Sequence, residues 1–393
     1  AIGFGVGINA VISYHLGAGE IDKADAAATR GIACSVVHGV VSMIVCITVM
    51  PRFLRLFTDS EQVAEMGTQY ASIAFAFSVI IMVGLAFEKI YQAMGRMQVT
   101  MTALLFGCVT NIVLDPLFIF GLKMGVKGAA IATVLSQLCS CLFVLHFLFG
   151  PAPQVGISFG GYRPWLMGRI LLTGLTPFLI SAVDNLMIIV LNALLQRYGG
   201  ESQGDLLVAA ATISQSFMLV VTMPLGGMTG GTASILGYNL GAGQPKRILE
   251  AQKYILIIAV AYTGVLCLVG QLFAAPFTRI FTPDVQVSAL AVTAIRITSM
   301  GIVPLGVQYV IVDGLTGMGM MRYSLPLSAF RKLVYFVAIF ILPAAFGAMA
   351  IFFAEPISDL IPPVVTVLFY WRKIPWLKRQ ALLHGQPEKT TQA

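Results

Sequence analysis

The sequence predicts an all-α polytopic membrane protein built from two pseudo-symmetric six-helix lobes. Composition is the first reason: 58% of the 393 residues are apolar, only 10% are charged and the mean hydropathy is +0.88, whereas about 25% of a soluble domain is charged. A repeat is the second reason, because YHLGAGE at residues 14–20 returns as YNLGAGQ at residues 238–244, an offset of 224. The same offset aligns Phe53 with Phe277 and Arg55 with Arg279. A period this long indicates duplicated halves.

Ten apolar runs are long enough to be membrane helices, since about 20 helical residues cross about 30 Å of hydrocarbon. None of the runs alternates polar and apolar residues as a barrel strand would. They lie near residues 28–50, 67–88, 98–121, 128–149, 168–196, 207–238, 252–275, 287–312, 325–347 and 350–370. Residues 1–16 form a further, shorter apolar piece.

The offset also predicts helices that precede residue 1. The counterparts of the run 168–196 and of the first half of the next run would lie upstream, so we expect a twelve-helix parent with its first helix and half of its second missing here. About ten complete helices and one partial helix remain visible. The expected organisation is an N-terminal lobe at 1–150, a linker at 151–167, a C-terminal lobe at 168–370 and a basic tail at 371–393.

The basic residues predict the orientation. If the turn after YHLGAGE is cytoplasmic, seventeen of the 24 Lys and Arg residues lie on that side, six lie on the other, and Arg296 falls inside a helix. Arg331 and Lys332 are counted on the cytoplasmic side, at a predicted helix start. This bias predicts a multi-pass protein of the bacterial inner membrane with a cytoplasmic C-terminus. The net charge of +7 then reflects topology and anionic lipid, and we expect no nucleic-acid partner.

Two segments of the sequence form recognisable motifs: GYNLGAGQPKRILEA from Gly237, repeated in part in the first half, and NIVLDPLFIFGLKMGVKGAAIAT from Asn111 to Thr133. These motifs resemble those of the multidrug and toxic compound extrusion (MATE) transporters, in particular their DinF-like branch. The resemblance implies an antiporter, not an enzyme, that exports amphipathic, often cationic compounds in exchange for H⁺ or Na⁺ by alternating access. We expect a monomer whose partners are small amphipathic substrates and membrane lipids, with no cofactor besides the coupling ion.

Glycines recur at matching positions of the two halves and predict close helix packing. Glycines four residues apart remove side chains from one helix stripe and let another backbone approach, and the terminal Leu-Gly-Ala-Gly ends a helix with residues that adopt positive φ. This structural role is favoured over direct contact with substrate. The residues are Gly3, Gly7, Gly17 and Gly19 in the first half and Gly227, Gly231, Gly241 and Gly243 in the second.

A candidate cation-coupling site consists of Asn111, Asp115 and Thr133. The first two are four residues apart and so share a helix face, and Thr133 on the next helix is near enough to reach the same pocket. An amide, a carboxylate and a hydroxyl offer hard oxygen ligands for Na⁺, and a desolvated carboxylate equally takes up H⁺. The MATE resemblance implies this role for the same three residues, although the family also uses an Asp on its first helix, which this sequence lacks. Alternatively, Asp115 beside Pro116 caps a helix break.

Asp184 is the candidate in the C-terminal lobe for binding a cation or a cationic substrate. It lies near the middle of its predicted span, where a carboxylate costs about 2.5–3.5 kcal/mol and therefore needs a partner or a function. A buried, hydrogen-bonded structural role is the open alternative. Asp359 is expected to be structural, and Glu355, four residues earlier, places a second carboxylate on the same face.

Two other function classes compete with efflux. A lipid-linked glycan or polysaccharide flippase of the same superfamily would have a more cationic cavity. An intramembrane enzyme would need clustered His or paired Asp motifs, whereas the four His residues are scattered, and no phosphate-binding loop indicates ATP-driven transport. We also expect no metal site beyond Na⁺ at Asn111, Asp115 and Thr133.

Overall fold

The computed structural model describes residues 2–55, 60–148, 155–156 and 164–384. Most of the predicted linker 151–167, the end of the predicted tail and part of the repeat element around Phe57 lie outside these ranges. Every regular element in the described ranges is helical, which confirms the predicted all-α class. The chain divides into two compact units, Ala1–Gly174 and Leu175–Ala393.

The described residues of the first unit form six helices and the start of a seventh. Their bounds are α1 Ile2–Gly17, α2 Ile21–Arg55, α3 Glu61–Ala76, α4 Ser78–Ala93, α5 Met97–Pro116 and α6 Gly125–Leu148, with a π-helical turn at Leu117–Gly121. Helices α1, α2 and α4 pack on one another, and α5 packs along α6. Buried apolar side chains such as Ile12, Phe87 and Ile90 form the core, together with Leu166 and Ile170 from the start of α7.

Helix α7, Pro164–Gly241, is interrupted at Gly200, whose φ of 63° and ψ of −167° are not helical. We call its two arms α7a, Trp165–Glu201, and α7b, Gln203–Gly241. Gly200 suits this position because glycine adopts positive φ without steric cost. The interruption lets one helical run supply two apolar segments of membrane-spanning length.

The unit boundary lies beyond the predicted linker because the first turns of α7a pack against α1. A Cβ added at Gly7 would lie 2.1 Å from the carbonyl oxygen of Ile170, and one added at Gly174 would lie 2.2 Å from that of Gly3. Only glycine permits such close contact between the two backbones. Residues up to Gly174 therefore belong to the first unit.

The second unit continues from α7a through α7b to the end of the described chain. Its remaining helices are α8 Pro245–Leu272, α9 Ala274–Phe281, α10 Val285–Ser299, α11 Ile302–Gly317, α12 Met321–Phe346 and α13 Ala354–His384, with a 3₁₀ turn at Ala348–Phe353. Helix α11 packs against α8, α12 and α13. Part of the predicted tail is thus a continuation of α13, which runs to His384.

Each unit contains one broken span at the same place in the repeat. Helices α3 and α4 meet at 51° around Phe77, and α10 and α11 meet at 50° around Gly301. The sequence predicted unbroken runs at 67–88 and 287–312. At the second break a Cβ on Gly301 would lie 2.7 Å from the Asp359 Cβ. The missing side chain therefore allows α13 to approach the break.

The duplicated YHLGAGE and YNLGAGQ segments end their helices with the same hydrogen bonds. Gly19 has φ +74° and Gly243 has φ +66°. The N–H of Gly19 donates to Leu16 O and that of Glu20 to His15 O, while Gly243 donates to Leu240 O and Gln244 to Asn239 O. This is the Schellman arrangement, in which a residue of positive φ satisfies the last carbonyls of a helix.

The helices confirm a multi-pass membrane protein. Eight described helices are long and apolar enough to cross a membrane, and the two broken pairs raise this number to ten, the number of apolar runs in the sequence. Their apolar faces are largely uncovered, since only 11% of the most apolar stretch of α5 is buried. An apolar helix surface without protein contacts fits hydrocarbon rather than water.

Candidate functional site

A cavity of about 300 Å³ lies inside the second unit. Its wall combines charged side chains with Met, Leu, Ile and Tyr side chains. The charged and aromatic members are Asp184, Tyr309, Arg331, Lys332, Tyr335 and Glu355. A smaller cavity of about 140 Å³ shares Tyr309, Arg331 and Lys332 with it. The second unit therefore contains a polar site among helices that are long and apolar enough to cross a membrane.

Three helices supply the charges. Asp184 lies on α7a, Arg331 and Lys332 are neighbours on α12, and Glu355 and Asp359 are four residues apart on α13. Adjacent helical residues point about 100° apart, so the two basic side chains reach different partners. Residues four apart share a helix face, so both α13 carboxylates face α12.

Each basic side chain forms an ion pair. Arg331 Nε donates to Asp359 Oδ1 at 2.8 Å, and Asp359 is fully buried. Lys332 Nζ donates to Asp184 Oδ1, and the Asp184 side chain is 44% exposed. The Arg331–Asp359 pair therefore lies in the wall, whereas the Lys332–Asp184 pair lies at the cavity surface.

Glu355 has no ion-pair or hydrogen-bond partner for its carboxylate among the described residues, although it lines the cavity. Three carboxylates, those of Asp184, Glu355 and Asp359, thus surround two basic groups. When all five are ionised, the site carries one excess negative charge. A buried unpaired charge is costly, and an added cation beside Glu355 would offset it.

These positions correct the sequence interpretation in one respect. Arg331 and Lys332 were predicted at a helix start on the cytoplasmic side, but α12 begins at Met321 and both side chains line the cavity. The apolar residues flanking them on both sides are the signal that could have placed them within the span. Asp184 does reach the cavity, with Lys332 as its partner.

In the first unit, Asn111 and Asp115 lie on α5 and Thr133 on α6, and these two helices pack together. No hydrogen bond among the described residues joins the three side chains. Thr133 Oγ1 donates to Ala129 O at 3.0 Å. Asp115 Oδ1 is buried and has no hydrogen-bond partner among the described residues. A buried oxygen of this kind is available to bind a ligand.

The predicted glycine positions differ between the two units. Gly3 and Gly7 face the start of α7a at backbone contact distance, whereas a Cβ added at Gly227 meets no described atom within 4 Å. Gly17 and Gly241 are the last residues of α1 and α7b. The helix ends are therefore alike in the two units, and the close helix contact is seen for Gly3 and Gly7.

A family model described as MatE matches residues 1–117 and 178–341, which is more than half of the chain and includes parts of both units. The chain belongs to the MatE family. This confirms the predicted MATE family, while its DinF-like branch stays a prediction. Among its MatE relatives is the multidrug export protein MepA of Staphylococcus aureus, 22% identical over 375 residues, covering 94% of this chain and 81% of MepA.

Solved MATE structures agree with this membership. An outward-facing multidrug resistance MATE transporter of the MOP superfamily is 26% identical, with a TM-score of 0.90 over 96% of this chain and 85% of its own. A MOP superfamily transporter of Pyrococcus furiosus is also 26% identical, with a TM-score of 0.90 over 96% of this chain and 84% of its own. That transporter is described as having a binding pocket of reversed polarity, which suggests a different function.

Proposed function

We propose that this MatE-family protein is a secondary active efflux transporter. It exports amphipathic, cationic compounds and takes up H⁺ or Na⁺ in exchange, by alternating access. The observation that carries the proposal is the family match in both units, together with similarity to a multidrug resistance transporter over 96% of the chain. A cation antiporter needs carboxylates within its spans, and both units provide them.

The cavity of the second unit supports cationic, amphipathic substrates. Glu355 supplies a carboxylate that has no hydrogen-bond or ion-pair partner among the described residues, and Met187, Met218, Tyr309 and Tyr335 supply flexible and aromatic walls. Methionine side chains adapt to ligands of different shape. An organic cation therefore has both a counter-charge and an apolar surface.

The coupling ion is assigned to Asn111, Asp115 and Thr133, with the buried Asp115 Oδ1 as its anchoring oxygen. We further propose a monomer in the bacterial inner membrane, with lipids around its apolar faces and a cytoplasmic C-terminus. No nucleic acid and no cofactor other than the coupling ion take part.

A flippase for lipid-linked glycans or polysaccharides is the second candidate. Arg331 and Lys332 in the cavity favour it, because an anionic pyrophosphate-linked lipid needs basic partners. Both basic groups are already paired with carboxylates, however, and the site has more acidic than basic members. The charge balance therefore favours cationic substrates.

Expression in a drug-sensitive bacterium that lacks its main pumps tests the choice. The efflux proposal predicts lower accumulation of ethidium and similar lipophilic cations, with the Glu355→Gln variant as the inactive control. Unchanged accumulation of a broad panel of cations, combined with an effect on lipid-linked sugars, would support the flippase instead.

A further inference from the structure

The repeat shows what is unusual about the cavity of the second unit. Helices α5 and α12 both begin with Met at the same repeat position, Met97 and Met321. The pair α12–α13 is therefore the counterpart of α5–α6. In the first unit that pair presents an amide, a carboxylate and a hydroxyl, whereas in the second unit it presents two basic and two acidic side chains.

Lys332 places its ammonium group against Asp184, at the cavity surface. A free cation bound to Asp184 would need the same position. Arg331 differs, since its partner Asp359 is fully buried in the wall. Of the two basic residues, Lys332 is therefore the one that blocks a carboxylate otherwise open to a ligand.

The charge balance of the site limits how many positive charges a bound ligand can carry. With Lys332 in place and all five groups ionised, the two basic and three acidic side chains carry one excess negative charge, which one positive charge balances. A ligand with two positive charges would leave one of them without a counter-charge, and uncompensated charge is costly in a medium of low dielectric constant. Without Lys332, the excess would be two negative charges, at Asp184 and Glu355.

We propose that Lys332 is a tethered cation that neutralises Asp184 and thereby determines the charge of the ligand, so that the site prefers monocations to dications. This specificity role rests on the proposed efflux of organic cations. Lys332 acts by occupying Asp184, while the ligand cation binds beside Glu355.

The test uses ethidium, a monocation, and propidium, a dication with the same ring system. Binding of each dye to the purified protein in detergent is measured by fluorescence anisotropy, and the ratio of the two dissociation constants is compared between variants. Lys332→Met should shift this ratio towards propidium by at least about tenfold, which corresponds to about 1.4 kcal/mol. Lys253→Met, the same change at an exposed position of α8, should leave the ratio unchanged.

The double variant Asp184→Asn/Lys332→Met decides whether the effect depends on the ion pair. It removes one charge of each sign, so the dye ratio should return to that of the unsubstituted protein. Because it creates no new unpaired charge, the double variant can also be measured if Lys332→Met alone does not fold. Lys332→Gln is the alternative single variant.

Two results would overturn the proposal: an unchanged ratio in the single Lys332 variants, or the same altered ratio in the double variant. In either case, ethidium binding and export that remain intact would leave the efflux function standing. Failure of the unsubstituted protein to bind either dye or to lower ethidium accumulation would instead contradict the efflux function and the role of Lys332 together.

Discussion

At the scale of single residues, the Arg331–Asp359 ion pair is a contact whose loss we expect to destabilise the second unit. Asp359 is fully buried, and its Oδ2 has no hydrogen-bond partner in the part of the chain that the structure describes. Removing Arg331 would leave that carboxylate without its ion pair. We expect Arg331→Met to lower the free energy of unfolding by about 3–5 kcal/mol, measured by thermal or denaturant unfolding in detergent.

Two control variants distinguish the effect of leaving Asp359 without a partner from the effect of removing a positive charge. Arg331→Met/Asp359→Leu removes both members and should recover most of the stability, since apolar replacement of a buried pair is often neutral. Lys253→Met should have little effect. A single variant as stable as the unsubstituted protein would show that the pair does not stabilise the fold.

Asp115 is the residue on which ion coupling is predicted to depend. Asp115→Asn keeps the shape of the side chain but cannot ionise, so it should abolish uphill export in vesicles while leaving folding and dye binding largely intact. Asn111→Ala and Thr133→Ala should weaken coupling less, because each removes one ligand and leaves the charge. Normal export by Asp115→Asn, with loss of export by Asp184→Asn, would place coupling in the second unit.

The sequence could name the charged candidates at this scale but not all of their partners. Asp184 and Asp115 were identified from their positions within apolar runs. Asp184 and Lys332, which are in contact, lie 148 residues apart in the chain, on α7a and α12. The spacing of residues within one helix cannot predict a contact between distant helices. Arg331 and Lys332 were therefore predicted at a helix start and not at the cavity.

At the scale of helices, the contact between α1 and the start of α7a depends on glycine. A Cβ at position 7 would meet the Ile170 carbonyl oxygen at 2.1 Å, so the two helices must separate if the residue is larger. We expect Gly7→Ala to destabilise the protein by about 1–3 kcal/mol, as overpacking does. Unfolding in detergent measures the effect.

Gly227→Ala is the control for this helix contact. It makes the same change within α7b, where a Cβ meets no described atom within 4 Å. It should be neutral, or stabilising by about 0.5–1 kcal/mol, because alanine favours the helix. Equal destabilisation by both variants would show that helix propensity or insertion, and not the α1–α7a contact, explains the result.

The helices themselves were largely predictable from sequence, and their breaks were not. Long apolar runs and the LGAG helix ends follow from local composition and from glycine. The residues at the two breaks, Phe77 and Gly301, differ in type. Near the first break, Ser78 Oγ donates to Gly39 O at 2.8 Å. At the second, the absence of a side chain on Gly301 lets Asp359 approach. Tertiary contacts of this kind override local pattern.

At the scale of the whole molecule, the duplication is the feature that sequence revealed most fully. One offset relates the LGAG segments, the two bent spans and the turns at Gly95 and Gly319, which have φ of 73° and 71°. The duplication does not extend to the chemistry, because the helix pair that carries Asp115 in one unit carries Arg331 and Lys332 in the other. The two units therefore have different roles in the proposed cycle, ion coupling in the first and substrate binding in the second.

This division predicts the energetics of export. Asp115 is the one carboxylate of the proposed coupling site, so the proposal implies uptake of one H⁺ or one Na⁺ there for each monocation that the second unit releases. A monovalent ion moving inward gains about 2.3 kcal/mol per 100 mV, but an outgoing monocation loses the same amount. We therefore predict an electroneutral exchange that only the concentration gradient of the coupling ion can drive.

We therefore expect ethidium export to be insensitive to the membrane potential. In proteoliposomes, valinomycin with equal K⁺ on both sides should change the initial rate by less than about twofold, because the net charge moved is zero. Dissipation of the pH gradient by nigericin should stop export if H⁺ is the coupling ion, and dissipation of the Na⁺ gradient by monensin at uniform pH should stop it if Na⁺ is. Asp115→Asn vesicles provide the uncoupled baseline. Export driven by the potential alone, with no ion gradient, would show that more than one cation enters per dye and that Asp115 is not the only coupling group.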